Sequence, residues 1–323
     1  MADEAAFTTL FEQHRAELRV HCYRMLGSLD EADDLVQETF LRAWRGLDGF
    51  QGRSSPRAWL YRIATNACLD ALDNRSRRVL PYDLTGPAAE ALPPRTDIPW
   101  LQPYPDAEPD SAVVSRETIE LAFLAALQHL PARQRAILIL ADVLGWPARQ
   151  TASLLGTTAA SVNSSLRRAR TTLREHLPER RLDWASATGP TDAERALLRR
   201  YMDAMERADL TALADLLAED IRTAMPPWPM WLLGRDAVLS ALATSWDTGS
   251  GDYVGRFRMV PVQANRQPAV ATYVRRAGDT GFGQFAISLL RISGGRIVEI
   301  DSFHDPGLFP AFDLPASLSP AQS

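Results

Sequence analysis

Residues Trp146 to Leu173 read WPARQTASLLGTTAASVNSSLRRARTTL. A first helix fits Pro147 to Leu155, with proline at or near its first position, where a missing N–H costs nothing. Gly156 can take the left-handed geometry of a sharp turn. Thr157 or Thr158 then offers an N-cap for a second helix. On that helix Val162, Leu166, Ala169 and Leu173 fall at spacings of three and four, which makes one apolar stripe. Asn163, Ser164, Arg167, Arg168 and Arg170 occupy the other faces. A helix of this kind after a glycine turn suits the DNA major groove. Asn and Ser can read base edges there, and arginine can read guanine or hold phosphate. A plain solvated helix face is the simpler alternative for those arginines.

Working outward, the chain has three periodic regions and two irregular ones. From Phe7 to about Arg78 apolar residues recur at helical spacing, as in Leu35, Val36, Phe40, Leu41 and Trp44. Residues 80–110 are rich in proline, which removes backbone donors and disfavours helix, so an extended linker is expected. Helical periodicity returns from Ser111 to about Leu177 and breaks again around Pro178 to Pro190. Beyond lies a helix over Asp192 to Leu217, then a mixed turn and helix over Trp231 to Trp246. Four strands follow: Arg256 to Gln263, Ala269 to Arg276, Phe282 to Ile292 and Arg296 to Phe303. Gly294-Gly295 marks a tight hairpin between the last two. The expected architecture is multidomain: two all-α domains, the second with the helix-turn-helix, followed by an α+β domain. The boundaries are 1–79, 80–110 (linker), 111–178, 179–191 (linker), 192–316 and 317–323 (tail).

Bulk properties set limits. At 323 residues the chain is long for one domain, and 46% hydrophobic with 23% charged residues is ordinary for a soluble protein. No run of about 18 apolar residues is present, so no membrane span is expected. The N-terminus lacks a signal-peptide layout, and a cytoplasmic protein is expected. The two cysteines, Cys22 and Cys68, read as buried thiols without the partners of a zinc site. No metal or cofactor is expected; neither a phosphate-binding G-x-x-x-x-G-K-[ST] loop nor an HExxH motif occurs. The net charge of −5 argues against a protein that coats nucleic acid nonspecifically. All 35 basic residues are arginines, whose forked donors suit phosphates and guanine edges.

Asp30 to Trp44, DEADDLVQETFLRAW, has an acidic start suited to a helix N-terminus and an apolar set expected to form one buried face. Asp33, Asp34, Gln37, Glu38 and Arg42 are left as a polar surface. Ser55 to Asn66 mixes aromatics with arginines, and Arg75, Arg77 and Arg78 are expected to close that helix. Aromatic and cationic residues together suit single-stranded DNA, although core packing is the commoner reason for a residue such as Trp59.

Taken together, DEADDLVQETFLRAW, RAWLYRIATNACLDALDNRSRR and LPARQRAILILADVLGW ahead of the helix-turn-helix resemble the extracytoplasmic-function sigma factors, over about Phe7 to Leu177. The last region is similar to the SnoaL-like, NTF2-type cones that some of them carry. The phrase WLQPYPD (Trp100 to Asp106) and the ending FHDPGLFPAFDLP resemble the SigG-like subgroup. The resemblance implies that Asp34, Gln37, Glu38, Phe40 and Arg42 dock onto core RNA polymerase. It implies that Asn66, with Arg62, Arg75 and the Phe50 to Pro56 loop, holds a base flipped from the melted −10 strand of promoter DNA. Asn163, Ser164, Arg167 and Arg168 would read the −35 duplex. The linker would thread the polymerase channels, with Asp97, Asp106, Glu108 and Asp110 mimicking nucleic acid or merely solubilising it.

For the cone, two readings stand beside a minor catalytic one in which Asp301 and His304 do acid–base work. In one it takes a small ligand in a pocket lined by Met225, Trp228, Trp231 and Phe285. Alternatively it makes an intramolecular contact that biases the protein, with Phe309, Phe312 and Leu314 of the tail docking on another domain. The rival from another class is a one-component, ligand-sensing helix-turn-helix regulator, which leaves the N-terminal block unexplained.

Overall fold

Ser28 and Ser55 set the helices of the N-terminal block by accepting from the N–H groups of Glu31 and Ala58, at 3.3 and 3.2 Å. The computed structural model describes residues 2–50, 52, 54–73, 75–87, 92–106, 120–177 and 190–319. Contacts group residues 1–78 with 108–186, and residues 79–107 with 187–323.

In the first unit α1 (Ala2–Leu26), α2 (Leu29–Arg45) and α3 (Pro56–Leu72) enclose Leu18, Tyr23, Leu29, Leu60, Ala64 and Cys68. Cys22 and Cys68 are free thiols in this core, where burial pushes the Cys68 thiol up. Helix α3 stops at Leu72, so Arg75, Arg77 and Arg78 lie beyond it instead of closing it. Asp73 caps the helix in extended geometry, and Arg75 and Arg78 reach back to Glu31 at 3.1 and 2.9 Å. The expected apolar face of α2 is narrower than its pattern: Val36 is buried, while Leu41 and Trp44 are 44% and 41% exposed. Further along come α4 (Leu121–Gln128), α5 (Ala132–Leu138), a π turn (Ile139–Val143), α6 (Ala148–Leu154) and α7 (Ala159–His176). Residues 111–119, expected to be helical, lie outside the described residues.

The second unit opens with α8 (Asp192–Glu206), started by a capping box between Thr191 and Glu194. The single helix expected over 192–217 is in fact two. Ala208 takes φ 55, and Asp209 caps α9 (Leu210–Leu216). Strand β1 (Leu217–Ala224) falls where no element is expected, because its acidic pair and alanines show no clean alternation. Next come β2 (Trp231–Leu233), α10 (Arg235–Trp246), β3 (Arg256–Ala264), β4 (Gln267–Arg275), β5 (Phe282–Ser293), β6 (Arg296–Phe303) and β7 (Ser317–Leu318). The sheet runs β2-β1-β6-β5-β4-β3, an antiparallel meander extended by β1 parallel to β6. Asn265 and Arg266, at φ 51 and 58, turn β3 into β4 in the doubly left-handed form of a tight hairpin.

Two further expectations change. The tail packs on the cone's own sheet, with Phe309 fully buried and its ring 5.3 Å from that of Tyr273. The proline-rich linker is anchored on the cone: Leu101 and Tyr104 are buried, Val79 bridges Trp100, and Pro105 bridges Ala264. Among the described residues no helix is long and apolar enough to cross a membrane.

One backbone position should be intolerant. Gly255 enters β3 at φ 131, where an added Cβ would stand 2.6 Å from the Arg275 carbonyl oxygen. Gly255→Ala should cost about 1–3 kcal/mol, whereas Gly283→Ala, with open space around it, should be close to neutral. Urea unfolding of the two variants checks the contrast.

Candidate functional site

The helix-turn-helix forms as its sequence suggests. Pro147 precedes α6, Gly156 turns the chain at φ 61, and Thr158 caps α7 by accepting from Ser161 N–H at 3.1 Å. Val162, Leu166, Ala169 and Leu173 are all buried. Asn163, Arg167 and Arg168 are exposed, with Ser164 half-buried beside them. Arg168 donates to Ser164 Oγ at 2.9 Å and to Ser165 Oγ at 3.2 Å, which fixes its guanidinium along the helix. Arg170 is tied to Asp142 at 2.7 Å and belongs to the fold.

On α2, Asp34 and Gln37 are exposed and lie on one face with Leu41 and Trp44, at spacings of three and four. The apolar pattern of α2 points both of these residues to the core, yet the structure leaves them partly exposed beside Asp34 and Gln37. Arg42 bridges Glu38 at 2.7 Å and Asp70 at 2.9 Å. Phe40 is half-buried, its ring 4.7 Å from Phe11 and 5.3 Å from Phe7. It supports the face from beneath.

On α3 the aromatics are inside. Trp59 lies against Phe50 with ring centroids 4.8 Å apart and the planes tilted by 35°, and Tyr61 is fully buried with its hydroxyl donating to Glu17 at 3.2 Å. Arg57 is also held by Glu17, at 2.6 Å. Core packing, the commoner reading for Trp59, is what the structure shows, and Arg62 and Asn66, one turn apart and both exposed, are left as a polar face of α3. Arg75 is exposed but engaged by Glu31. Residues 51 and 53 of the loop before α3 lie outside the described residues.

The cone's chemistry divides across β6, because successive strand residues point to opposite faces. Ile300, Ser302 and His304 line a cavity of about 210 Å³. Asp301 lies on the other face with Glu299, so the suggested Asp301–His304 acid–base pair does not form. Of the expected pocket residues, Met225, Phe285 and His304 line the cavity. Trp228 stands behind, its ring edge-on to His304 at 5.0 Å. Trp231 points to the linker, donating from Nε1 to Thr85 O at 2.8 Å.

On the charged face Glu299 is clamped between Arg222 and Arg291, the latter at 2.6 Å. The linker adds Tyr82, whose ring lies under the Arg222 guanidinium at 3.8 Å. Burial, then the neighbouring Glu299, pushes the Asp301 carboxyl well up, and burial with Asp301 and Glu299 pushes the Tyr82 phenol well up. Further along, the linker joins the β3–β4 hairpin edge-on. Tyr104 N–H donates to Asn265 Oδ1 at 2.8 Å, and Asn265 N–H to Tyr104 O at 2.9 Å. Asp106 N–H donates to Gln263 O at 3.1 Å, and Arg266 N–H to Asp106 Oδ2 at 2.6 Å. Pro103 and Pro105 are the reason only alternate donors exist here. The phrase WLQPYPD is therefore the docking segment, a role its proline content concealed. Glu108 and Asp110 lie outside the described residues.

Comparison with known proteins agrees with this layout. Residues 10–78 match the family model Sigma-70 region 2, residues 120–173 match Sigma-70, region 4, and residues 198–300 match the SnoaL-like domain. The chain is 43% identical over 320 residues to the ECF RNA polymerase sigma factor SigG of Mycobacterium tuberculosis, covering 97% of this chain and 85% of that one. It is 25% identical over 312 residues to the probable ECF RNA polymerase sigma factor SigI of the same organism, covering 95% and 96%. Its fold is like that of the crystal structure of the M. tuberculosis extracytoplasmic function sigma factor SigJ, with a TM-score of 0.64, 22% identity, and 95% and 100% of the two chains covered.

The docked linker should be sensitive to pH through Asp106. Burial raises its pKa to about 6 from an ordinary 3.8, against the pull of Arg266. The folded form thus favours the protonated carboxyl. The stabilising contribution is full below about pH 3.8, is lost as pH rises to about 6, and is flat above that. Asp106→Asn should gain urea stability relative to the parent chain as pH rises from 4 to 6, with a constant difference beyond. Parallel pH profiles for the two would contradict this.

Proposed function

The chain belongs to the extracytoplasmic-function sigma factors, and from that premise we propose that its cone holds the linker between regions 2 and 4 in check until core RNA polymerase takes it. As a sigma factor it binds core RNA polymerase and directs it to promoter DNA, and it is not an enzyme; phosphodiester synthesis belongs to the polymerase. Its place of work on this reading is the cytoplasm.

The observation that carries the clamp is the engagement of Tyr104 and Asp106 with the β3–β4 hairpin. A segment whose main-chain groups are spent on a sheet edge cannot lie in a polymerase channel at the same time. Among the described residues, Asp97 is paired with Arg95 at 2.6 Å and Asp106 accepts from Arg266. Each hydrogen bond is worth about 1 kcal/mol net, and the Arg222–Tyr82 contact about 0.5–2 kcal/mol. The sum is a few kcal/mol. Reversing a 1:99 equilibrium takes about 5.5 kcal/mol of differential binding, within reach of a large polymerase interface.

The exposed faces supply the remaining roles. The α2 face of Asp34, Gln37, Leu41 and Trp44, with Glu38 and Arg42 beside it and Phe40 beneath, docks on the polymerase. Arg62 and Asn66 of α3 meet the unpaired −10 strand, and Arg75 joins them once it leaves Glu31. Asn163, Ser164, Arg167 and Arg168 read the −35 duplex, Arg168 already held straight by Ser164. The net charge of −5 keeps the free chain from being titrated by random DNA, since phosphate contacts dominate such binding.

Run-off transcription with purified core polymerase on genomic fragments tests both levels. Specific starts should require the added chain and fall roughly tenfold with Asn163→Ala/Arg167→Ala. Tyr82→Ala/Asn265→Gly, which loosens the linker while keeping the left-handed turn, should raise initiation at limiting polymerase by about 5–30-fold. Equal activity of the loosened and parent chains would count against the clamp. Sequence-specific duplex binding without polymerase, and no starts, would favour the one-component regulator.

A further inference from the structure

The cavity under the sheet has no role in the clamp as described, and its walls are unusual for empty space. Met205, Leu213, Phe257 and Phe285 give it an apolar body, while Thr223, Thr272, Ser288, Ser302 and His304 contribute polar atoms. Ser288 and Ser302 satisfy each other at 2.8 Å. Thr223 Oγ1 and His304 Nδ1 are buried and have no partner among the described residues. An unsatisfied buried polar group costs about 1–3 kcal/mol, so two on one small cavity are expensive unless something enters to bond them. No Asp, Glu or Arg is among the lining residues, and burial lowers the His304 pKa to about 4, which keeps its ring neutral near pH 7. A charged guest would be desolvated there without a counter-charge. Size adds a limit: an apolar cavity of about 150 Å³ holds benzene, and this one measures about 210 Å³.

We propose that the cavity is a receptor site for a neutral molecule of one ring or a short chain bearing a hydroxyl or carbonyl group, bonded by His304 Nδ1 and Thr223 Oγ1, and that occupancy tightens the linker on the cone. The coupling half of this rests on the clamp reading; the binding half does not. The route is one short segment, Met225 to Trp231. Met225 lines the cavity, and Pro226 O accepts from His304 N–H at 2.8 Å. Next to them Pro227 O accepts from Arg95 N–H at 2.9 Å, Pro229 O accepts from Thr85 Oγ1 at 3.2 Å, and Trp231 reaches Thr85 O. The same segment therefore borders the guest at one end and grips the linker at the other. A molecule that binds the cavity more tightly with the linker docked than released, through the shared Met225 to Trp231 segment, stabilises the docked form by that difference in affinity.

The test uses the full chain with four probes: p-cresol and cyclohexanone, toluene without the polar group, and benzoate with a charge. Calorimetry should find p-cresol or cyclohexanone binding roughly tenfold more tightly than toluene, with benzoate weakest. Thr223→Val, close in shape, should erase most of that preference, and melting curves report that the variant is folded. Hydrogen exchange at the Leu101, Tyr104 and Asp106 amides should slow when p-cresol is bound. Absence of binding by both neutral polar probes at millimolar concentration, or benzoate binding as tightly, overturns the receptor site. Binding with unchanged exchange at those amides overturns the coupling. Failure of the clamp itself would look different, because the same amides would already exchange freely without any probe.

Discussion

The contact between Tyr104–Asp106 and the β3–β4 hairpin is a competition for one stretch of backbone, and what the rest of the chain can do depends on it. Two prolines leave this stretch with donors only at alternate residues, and those donors at Tyr104 and Asp106 are used on the cone. The receiving side is equally specific. Asn265 sits at φ 51, which points both its amide and its side-chain oxygen at Tyr104. A left-handed Asn is among the few residues that do this without strain. Burial of the Asp106 carboxyl works against the contact at neutral pH, so the clamp is held below its full strength where the protein functions. A clamp that must open is well served by such a weakness.

The two-residue period of β6 organises the cone. One face of the strand gives Ile300, Ser302 and His304 to the cavity, and the other gives Glu299 and Asp301 to the charged surface on which Tyr82 rests. Glu299 holds two guanidiniums and so keeps Arg222 where the linker ring can lie against it. The fold places a neutral cavity and a charged docking surface on the two sides of a single strand. Changes on one side have a short path to the other through the segment after β1.

Much of this was legible in the sequence, for reasons that can be named. The helix-turn-helix was readable because Gly156, Thr158 and the Val162–Leu173 stripe are local signals that agree with one another. The β3–β6 meander was readable from β-branched and aromatic runs broken by glycine. What escaped was decided by tertiary contact. Leu41 and Trp44 carry a helical apolar pattern but are left 44% and 41% exposed, although the Trp44 ring lies 5.3 Å from that of Phe7. Tyr61 is drawn into the interior by Glu17, a partner 44 residues away in the chain. The minor reading of Asp301 and His304 as an acid–base pair fails because Asp301 faces away from the cavity that His304, just past the end of β6, lines. The docking of WLQPYPD had no local signal at all, since it depends on partners about 160 residues later in the chain.

The central claim, that the linker must leave the cone before the polymerase can use it, is most directly tested by locking it there. Pro105 and Ala264 are bridge partners on adjacent strand edges, close enough for a disulfide between cysteines placed at both positions. The natural Cys22 and Cys68 are buried and leave the new pair as the reactive one. The oxidised Pro105→Cys/Ala264→Cys chain should fail to initiate transcription with core polymerase, and added reductant should restore it. Initiation by the oxidised chain at the level of the reduced one would contradict the account.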